Sequence, residues 1–314
     1  MSAGTWALIL AKNHLRMTRE CLTSVLALDP APERVLVVDN GSTDGTAQAV
    51  RSDFPEVEVQ RLEENLYFAG GVNEGIRRAL DGGAQSILLL NNDVVLERTA
   101  LGTLRRALEE DSRRAAVSPK IYYYDAPDVV WFAGGTVGRA SGLIRHRGVN
   151  VKDEKLRTRD GEVDYVSGAA ALLSRGALEA VGLLDPDYVM YVEDVDWCAR
   201  AREGGWILWF TPSAKVWHHV SATSGGGLTP LKAYYRLRSG ALFLVRHGKR
   251  WERPLAWAAY LAWTLWLLPG ALARREVRAA GALLLGFFDF TWILLGFRPP
   301  ARRPESFAPP SSRG

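Results

Sequence analysis

The sequence predicts an α/β fold with a mixed, mostly parallel sheet and hydrophobic helices at its C-terminal end. Three observations carry the prediction. Short apolar runs bounded by turn residues alternate with stretches of helical spacing from Trp6 to Leu90, the signature of successive βα units. Two of these runs stop abruptly in polar clusters, Asp39-Asn40-Gly41-Ser42 and Asn91-Asn92-Asp93. Past Gly225-Gly226-Gly227 the chain turns into long apolar runs with basic flanks.

The elements follow in order. Trp6 to Ala11 reads as the first strand. Cys21, Leu22, Val25 and Leu26 have helical spacing after Thr18, which is placed as N-cap. Val35 to Val38 is the second strand, ended by the turn cluster through Gly45, and a helix starts at Thr46. Val57 to Leu62 is the third. Gly70-Gly71 precede a helix from Val72 to Leu80. Ser86 to Leu90 is the fourth strand, with a helix starting near Glu97. The stretch from Ala115 to Val166 reads as β-rich, with a charged mobile loop around 150–162. Ala170 to Ser174 is again a strand, and Glu193 to Glu203 a helix ended by Gly204-Gly205. Tyr234 to His247 reads as an amphipathic basic helix, Leu255 to Leu268 and Ala279 to Phe297 as apolar runs, and 299–314 as a disordered tail. The expected organisation is a catalytic domain over 1–227, appended helices over 228–298 and the tail.

Composition narrows the function. The 314 residues are 47% hydrophobic and 24% charged, ordinary for a globular chain with a sizeable core. The net charge of +4 is unevenly spread. Residues 1–227 hold 25 Lys and Arg against 31 Asp and Glu, whereas 228–314 hold 14 against 4 and five of the eleven Trp. Basic residues and Trp flanking apolar runs point to a membrane surface more than to nucleic acid, and no nucleic-acid motif appears in the first 227 residues. Cys21 and Cys198 lack metal-ligand spacing and read as reduced thiols. The start of the chain reads as a strand without a signal peptide.

The chemistry sits at strand ends, because open α/β sheets bind ligands outside the carboxyl ends of their strands. Asp93 there, with the acidic cluster Glu193-Asp194-Val195-Asp196 far downstream, suggests a divalent cation on a phosphate-rich ligand beside a catalytic base. The competing reading of Asp93 is a cap or turn residue, and acids in a helix's first turn also complement the helix dipole. Gly70-Gly71 would let backbone approach an anion at a helix N-terminus, or would form an ordinary turn.

Five motifs together bring a family into view. They are Val37 to Thr46, Asn65 to Gly75, Leu90-Asn91-Asn92-Asp93-Val94, Gly168-Ala169-Ala170 with Glu193 to Cys198, and Lys215-Val216-Trp217-His218. From Trp6 to Leu244 the chain resembles the family 2 glycosyltransferases, which have the Rossmann-like nucleotide-sugar fold called GT-A. Within them it looks most like the rhamnosyltransferase-like enzymes of bacterial cell-surface polysaccharides. The resemblance implies that Asp39 reads the N3–H of uracil or thymine, with Ala11, Lys12, Asn13 and Gly41 lining the nucleotide pocket. Gly71, Asn73, Asn91 and Asn92 would contact ribose or phosphates. Asp93 and His218 would hold Mg2+ or Mn2+, with His219 the neighbouring choice. The family's Asp-x-Asp motif has Asn91 in its first place, which leaves Asp93 as the motif's carboxylate. Asp194 would be the general base. Gly134, Gly135, Gly168, Ala169, Glu193 and Trp197 would surround donor and acceptor sugars.

The function so implied is inverting transfer from a nucleoside-diphosphate sugar, dTDP-rhamnose or a UDP-sugar, to a glycan or lipid-linked acceptor at the cytoplasmic face of the bacterial cell membrane. Two alternatives stand beside it. A nucleotidyltransferase would want a Gly-rich, basic phosphate loop, which Leu8 to Asn13 lacks. A non-catalytic glycan-binding protein would not need Asp39, Asp93, Asp194 and His218 together.

Overall fold

The computed structural model describes residues 4–138, 143–220 and 228–307. The expected boundary at residue 227 and the end of the tail, 308–314, lie outside the described residues.

Strand and helix alternate from the start: β1 (Thr5–Ala11), α1 (Leu15–Leu26), β2 (Arg34–Asp39), α2 (Thr46–Asp53), β3 (Glu58–Arg61) and α3 (Tyr67–Asp81). β4 (Ser86–Asn91) and β5 (Val94–Leu96) flank the turn at Asn92 and Asp93, and α4 (Ala100–Glu109) follows. The β-rich middle comprises β6 (Arg114–Tyr123), β7 (Ala126–Phe132), β8 (Gly135–Val137), β9 (Ile144–His146), β10 (Val151–Lys152), β11 (Gly161–Glu162) and β12 (Ala170–Ser174). Then come α5 (Arg175–Val181), α6 (Glu193–Glu203), β13 (Ile207–His218), α7 (Pro230–His247), α8 (Arg253–Ala273) and α9 (Val277–Leu294).

One sheet takes eleven of these strands, in the order β10-β7-β6-β12-β4-β1-β2-β3, with β13 joining β6, β5 and β11. The β3-β2-β1-β4 half is parallel, and its register puts Ala11 opposite Asp39 and Leu10 opposite Asn91, so three carboxyl ends are level. β12 then runs antiparallel between β4 and β6. β13 is parallel to β6 and antiparallel to β5, which sets His218 opposite Val94. The central strands are buried on both faces, as their near-continuous Val, Leu and Ile content requires.

Helix starts differ from expectation at α1 and α3, and α7 too begins early, at Pro230 rather than Tyr234. α1 begins at Leu15, after two left-handed residues, Asn13 and His14. Thr18 is therefore inside the helix, bonded to the His14 carbonyl rather than capping. α3 begins at Tyr67, so Gly70 and Gly71 are helical and not a loop before the helix. The physical reason is packing: Ala69, Val72, Ile76 and Ala79 form the buried stripe, and a Cβ on Gly71 would lie 2.6 Å from Leu10 Cδ1 and 2.9 Å from Asn40 Nδ2. The charged loop near 150–162 contains a 3-10 turn whose Asp153 accepts from Lys120 Nζ at 2.7 Å and Tyr122 OH at 2.8 Å.

The chain divides into two compact units. The first holds the sheet and helices α1 to α6. The second comprises 137–144, 188–192 and 221–314. Within it α7 packs on α9: Gly286 lies against the Tyr234 backbone, and Tyr234 OH donates to buried Asp289 at 2.5 Å. Pro304–Phe307, in the segment read as disordered, forms a 3-10 turn with Phe307 4.9 Å from the Tyr234 ring. α8 and α9 are long and apolar enough to cross a membrane by length and composition.

Gly71→Ala tests the α3 packing. Alanine ordinarily favours a helix, but overpacking here is expected to cost about 1–3 kcal/mol. A lower urea midpoint with unchanged slope is the expected result, and a raised midpoint would contradict it.

Candidate active site

The ends of β1 and β2 make one wall. Asp39 is fully buried; its Oδ1 accepts from Ser42 N, and its Oδ2 lacks a hydrogen-bond partner, with Arg61 Nε 3.8 Å away. A buried acceptor left open at a strand end suits a ligand N–H. Around it the loop is tightly tied. Asn13 donates its N–H to Ser42 Oγ and accepts from Thr43 N, Lys12 Nζ donates to Gly41 O, and Asn40 bridges Tyr67 O and Leu66 N. Gly41 has φ 71, and a Cβ there would meet the Glu64 carbonyl carbon at 2.9 Å.

The turn after β4 makes the next wall. Asp93 Oδ1 lies 3.1 Å from His218 Nε2, both buried, yet Oδ1 has no hydrogen-bond partner. The two atoms are at ion-pair distance, and with the imidazole neutral both can turn a lone pair to one shared cation. Among the described residues no group of three His, Cys, Asp or Glu surrounds a point, so other ligands would come from a bound molecule. His219 faces the opposite way, with Nε2 3.1 Å from Glu20 and its ring stacked on Tyr124 at 3.6 Å. The His218 ring meets the Asp93 carboxylate, whereas His219, just past the end of β13, donates its backbone N–H to Asp93 O at 2.9 Å. Asn92 holds the turn, donating to Asn13 O and Thr18 Oγ1.

The acidic cluster arrives from α6. Gly168 N donates to Asp194 Oδ2 at 2.9 Å and Val195 N to Oδ1 at 2.8 Å. Next to Gly168, Ala169 O accepts from Asn91 N at 3.0 Å, which ties the carboxylate to the end of β4. Burial, then the charge of Asp194, pushes the Glu193 carboxyl up to about 8. Burial also raises Asp194, against the pull of the two N–H groups. Asp196 is buried in an ion pair with Arg200 at 2.9 Å, and Arg200 also donates to Val181 O and Leu183 O.

Three candidate residues are engaged by the protein's own packing and hydrogen bonds. Asn73 bonds Leu184 through both ends of its amide. Trp197 is 2% exposed with its indole N–H on Gly182 O, so it has no open face for a sugar. Gly71 is pressed on Leu10 as above. Gly134 and Gly135 lie under Val163 and Tyr165, where a side chain would clash. Sequence reasoning missed Arg61 and Trp131. Arg61 stands opposite Asp39 in the β2–β3 register. Trp131 meets the rings of His218 and His146 edge-on at 4.8 and 4.6 Å.

Comparison with known proteins gives the family and the fold. A family model described as glycosyl transferase family 2 matches residues 6–182. The chain is 31% identical over 274 residues to the N-acetylglucosaminyl-diphospho-decaprenol L-rhamnosyltransferase of Mycobacterium tuberculosis, covering 81% of this chain and 86% of that one. Among solved structures it is similar to GalNAc-T7 with UDP, GalNAc and Mn2+, at TM-score 0.58 and 16% identity over 76% of this chain. The match spans about half of that structure's chain, 47%. It is also similar to mannosyltransferase PcManGT from Pyrobaculum calidifontis in complex with GDP-Man and Mn2+, at TM-score 0.56 and 18% identity, covering 92% and 87% of the two chains. At these identities the structural likeness is one of fold, the GT-A fold.

The Glu193 carboxyl yields a stability prediction. Folding raises it from 4.5 to about 8, so the folded chain prefers the protonated form. That contribution is complete below pH 4.5 and is lost as pH climbs through about 8. The loss is at most about 1.4 kcal/mol per pH unit for one proton. Glu193→Gln mimics the protonated form, so urea unfolding should show a flatter profile from pH 5 to 9 and a more stable variant at pH 9. An unchanged slope would rule the assignment out.

Proposed function

The chain belongs to glycosyl transferase family 2, and from that premise we propose that it transfers a sugar with inversion from a nucleoside-diphosphate sugar to a glycan or lipid-linked acceptor in cell-envelope polysaccharide synthesis. The donor is dTDP-rhamnose or a UDP-sugar. The named relative supports the choice, since its name joins L-rhamnosyl transfer to a diphospho-decaprenol acceptor. Membership of this family sets the nucleotidyltransferase alternative aside.

One observation carries the reading: the link from Asp194 through Gly168 and Ala169 to Asn91, which brings a carboxylate to the strand ends that carry Asp39 and Asp93. Asp39 Oδ2 accepts the imide N–H of the donor's base. Asp194 takes the proton of the acceptor hydroxyl, whose oxygen bonds the anomeric carbon from the face opposite the diphosphate. The bond from that carbon to the diphosphate oxygen breaks, and the nucleoside diphosphate leaves with the electron pair. Asp93 and His218 would hold Mg2+ or Mn2+, an assignment supported by the open Asp93 oxygen and by Mn2+ in both similar structures. Such an ion would supply charge neutralisation at the departing diphosphate.

The site works at a membrane in this reading. Support comes from the basic, Trp-rich C-terminal region and from the two apolar helices. We place the chain at the cytoplasmic face of the bacterial cell membrane.

Turnover of a donor panel tests the chemistry. Asp194→Asn should lose at least about a hundredfold in turnover with donor affinity nearly unchanged. Asp196→Asn should instead lower stability through the lost Arg200 pair; if it alone abolishes turnover, the base is misassigned. Asp93→Ala or EDTA should abolish transfer, and full activity without metal would remove the ion from the scheme.

A further inference from the structure

The second unit presents an apolar surface that its own packing does not cover. α8 buries only a narrow stripe, Ala256, Tyr260, Thr264 and Ala271. The rest of its circumference is also apolar, with Leu255 and Leu265 exposed, Trp251 just before it 68% exposed and Trp266 75% exposed. A helix apolar all round needs cover from protein or lipid. α9 differs: half of its most apolar window is buried against 22% for α8, and it is held to α7 at Gly286 and Asp289.

Charge and tryptophan placement decide how α8 meets that cover. Lys249, Arg250 and Arg253 stand at its start, and Arg274, Arg275 and Arg278 just past its end. A spanning helix would have to carry one of these trios across the bilayer, which basic residues resist. Tryptophans of a spanning helix collect at its two ends, at headgroup level. Here Trp257, Trp263 and Trp266 run along the helix, with Trp263 near its middle.

Resting on the membrane reading above, we infer that α8 lies in the plane of an anionic lipid surface, its open face among the acyl chains and its two basic ends on lipid phosphates. α9 lies beside it with Asp289 turned to α7, so neither helix spans. A second copy of this chain fits the surface less well, because a two-fold pairing would bring like-charged ends together.

Flotation of the purified full chain with vesicles tests lipid binding, and labelling in cells tests orientation. Vesicles of phosphatidylcholine with phosphatidylglycerol should carry the chain upward, and phosphatidylcholine alone should carry less. The exposed double change Leu265→Glu with Trp266→Glu should weaken binding at least tenfold. Lys249→Cys and Arg275→Cys should both react with a membrane-impermeant maleimide only after cells are opened; native Cys21 and Cys198 are buried. Reaction of either site from outside intact cells overturns the in-plane inference while attachment stands. A chain that stays soluble with both lipids and in cells overturns attachment itself. A dimer that ignores vesicles and is broken by the double change gives the surface to a second copy and overturns the inference.

Discussion

The reversal of one strand holds the site together. β12 enters between β4 and β6 antiparallel to β4, so its beginning lies level with the end of β4. The residues just before it, Gly168 and Ala169, therefore meet Asn91 and the turn that carries Asp93. A parallel strand in that slot would send the same residues to the far edge of the sheet. Gly168 then hands the position on to α6 through its N–H and Asp194 Oδ2. The contact admits no side chain: a Cβ on Gly168 would stand 2.9 Å from the Phe68 ring and 3.5 Å from Asp194 Cβ. A carboxylate about a hundred residues downstream of Asp93 thus reaches its neighbourhood through two hydrogen bonds donated by backbone N–H groups.

Hydrogen-bond satisfaction separates the machinery from the scaffold. Asn73, Asn92 and Asp196 look like site residues by type, yet each spends its polar atoms on the protein. Asp39 Oδ2, Asp93 Oδ1 and Glu193 Oε2 are buried and lack hydrogen-bond partners. An unsatisfied buried polar atom costs about 1–3 kcal/mol. Asp39 and Asp93 stand at level strand ends, where a ligand can repay that cost. The same criterion separates His218, beside the open Asp93 oxygen, from His219, engaged with Glu20.

The legible parts of this fold were those encoded locally. Apolar runs that stop in Asp39-Asn40-Gly41 and Asn91-Asn92-Asp93 marked two strand ends, and Ala170–Ser174 stood out by composition alone. Gly70-Gly71 misled because a glycine pair reads as a loop, whereas here Gly71 makes room for Leu10 and Asn40, far away in sequence. The anchoring of Trp197 was hidden for a related reason: its partner, the Gly182 carbonyl, belongs to a different turn. Arg61 and Trp131 left no local trace, since only strand register brings one to Asp39 and only ring packing brings the other to His218. His218 and His219 are neighbours of one type, and only the pairing of β13 with β5 brings the first beside Asp93 while the second turns to Glu20.

The carboxylate assigned as base is under two opposing pulls, and their balance suits the task. Backbone N–H groups of Gly168 and Val195 stabilise the ionised form of Asp194, which by itself would make a poor proton acceptor at neutral pH. Burial acts the other way and raises the group. Glu193 shares the crowding of two acids: burial, then the charge of Asp194, raises it to about 8. The bonds that restrain Asp194 also fix its direction, leaving each oxygen a second lone pair for an acceptor hydroxyl. In the proposed role, orientation of Asp194 comes from the backbone and raised basicity from burial.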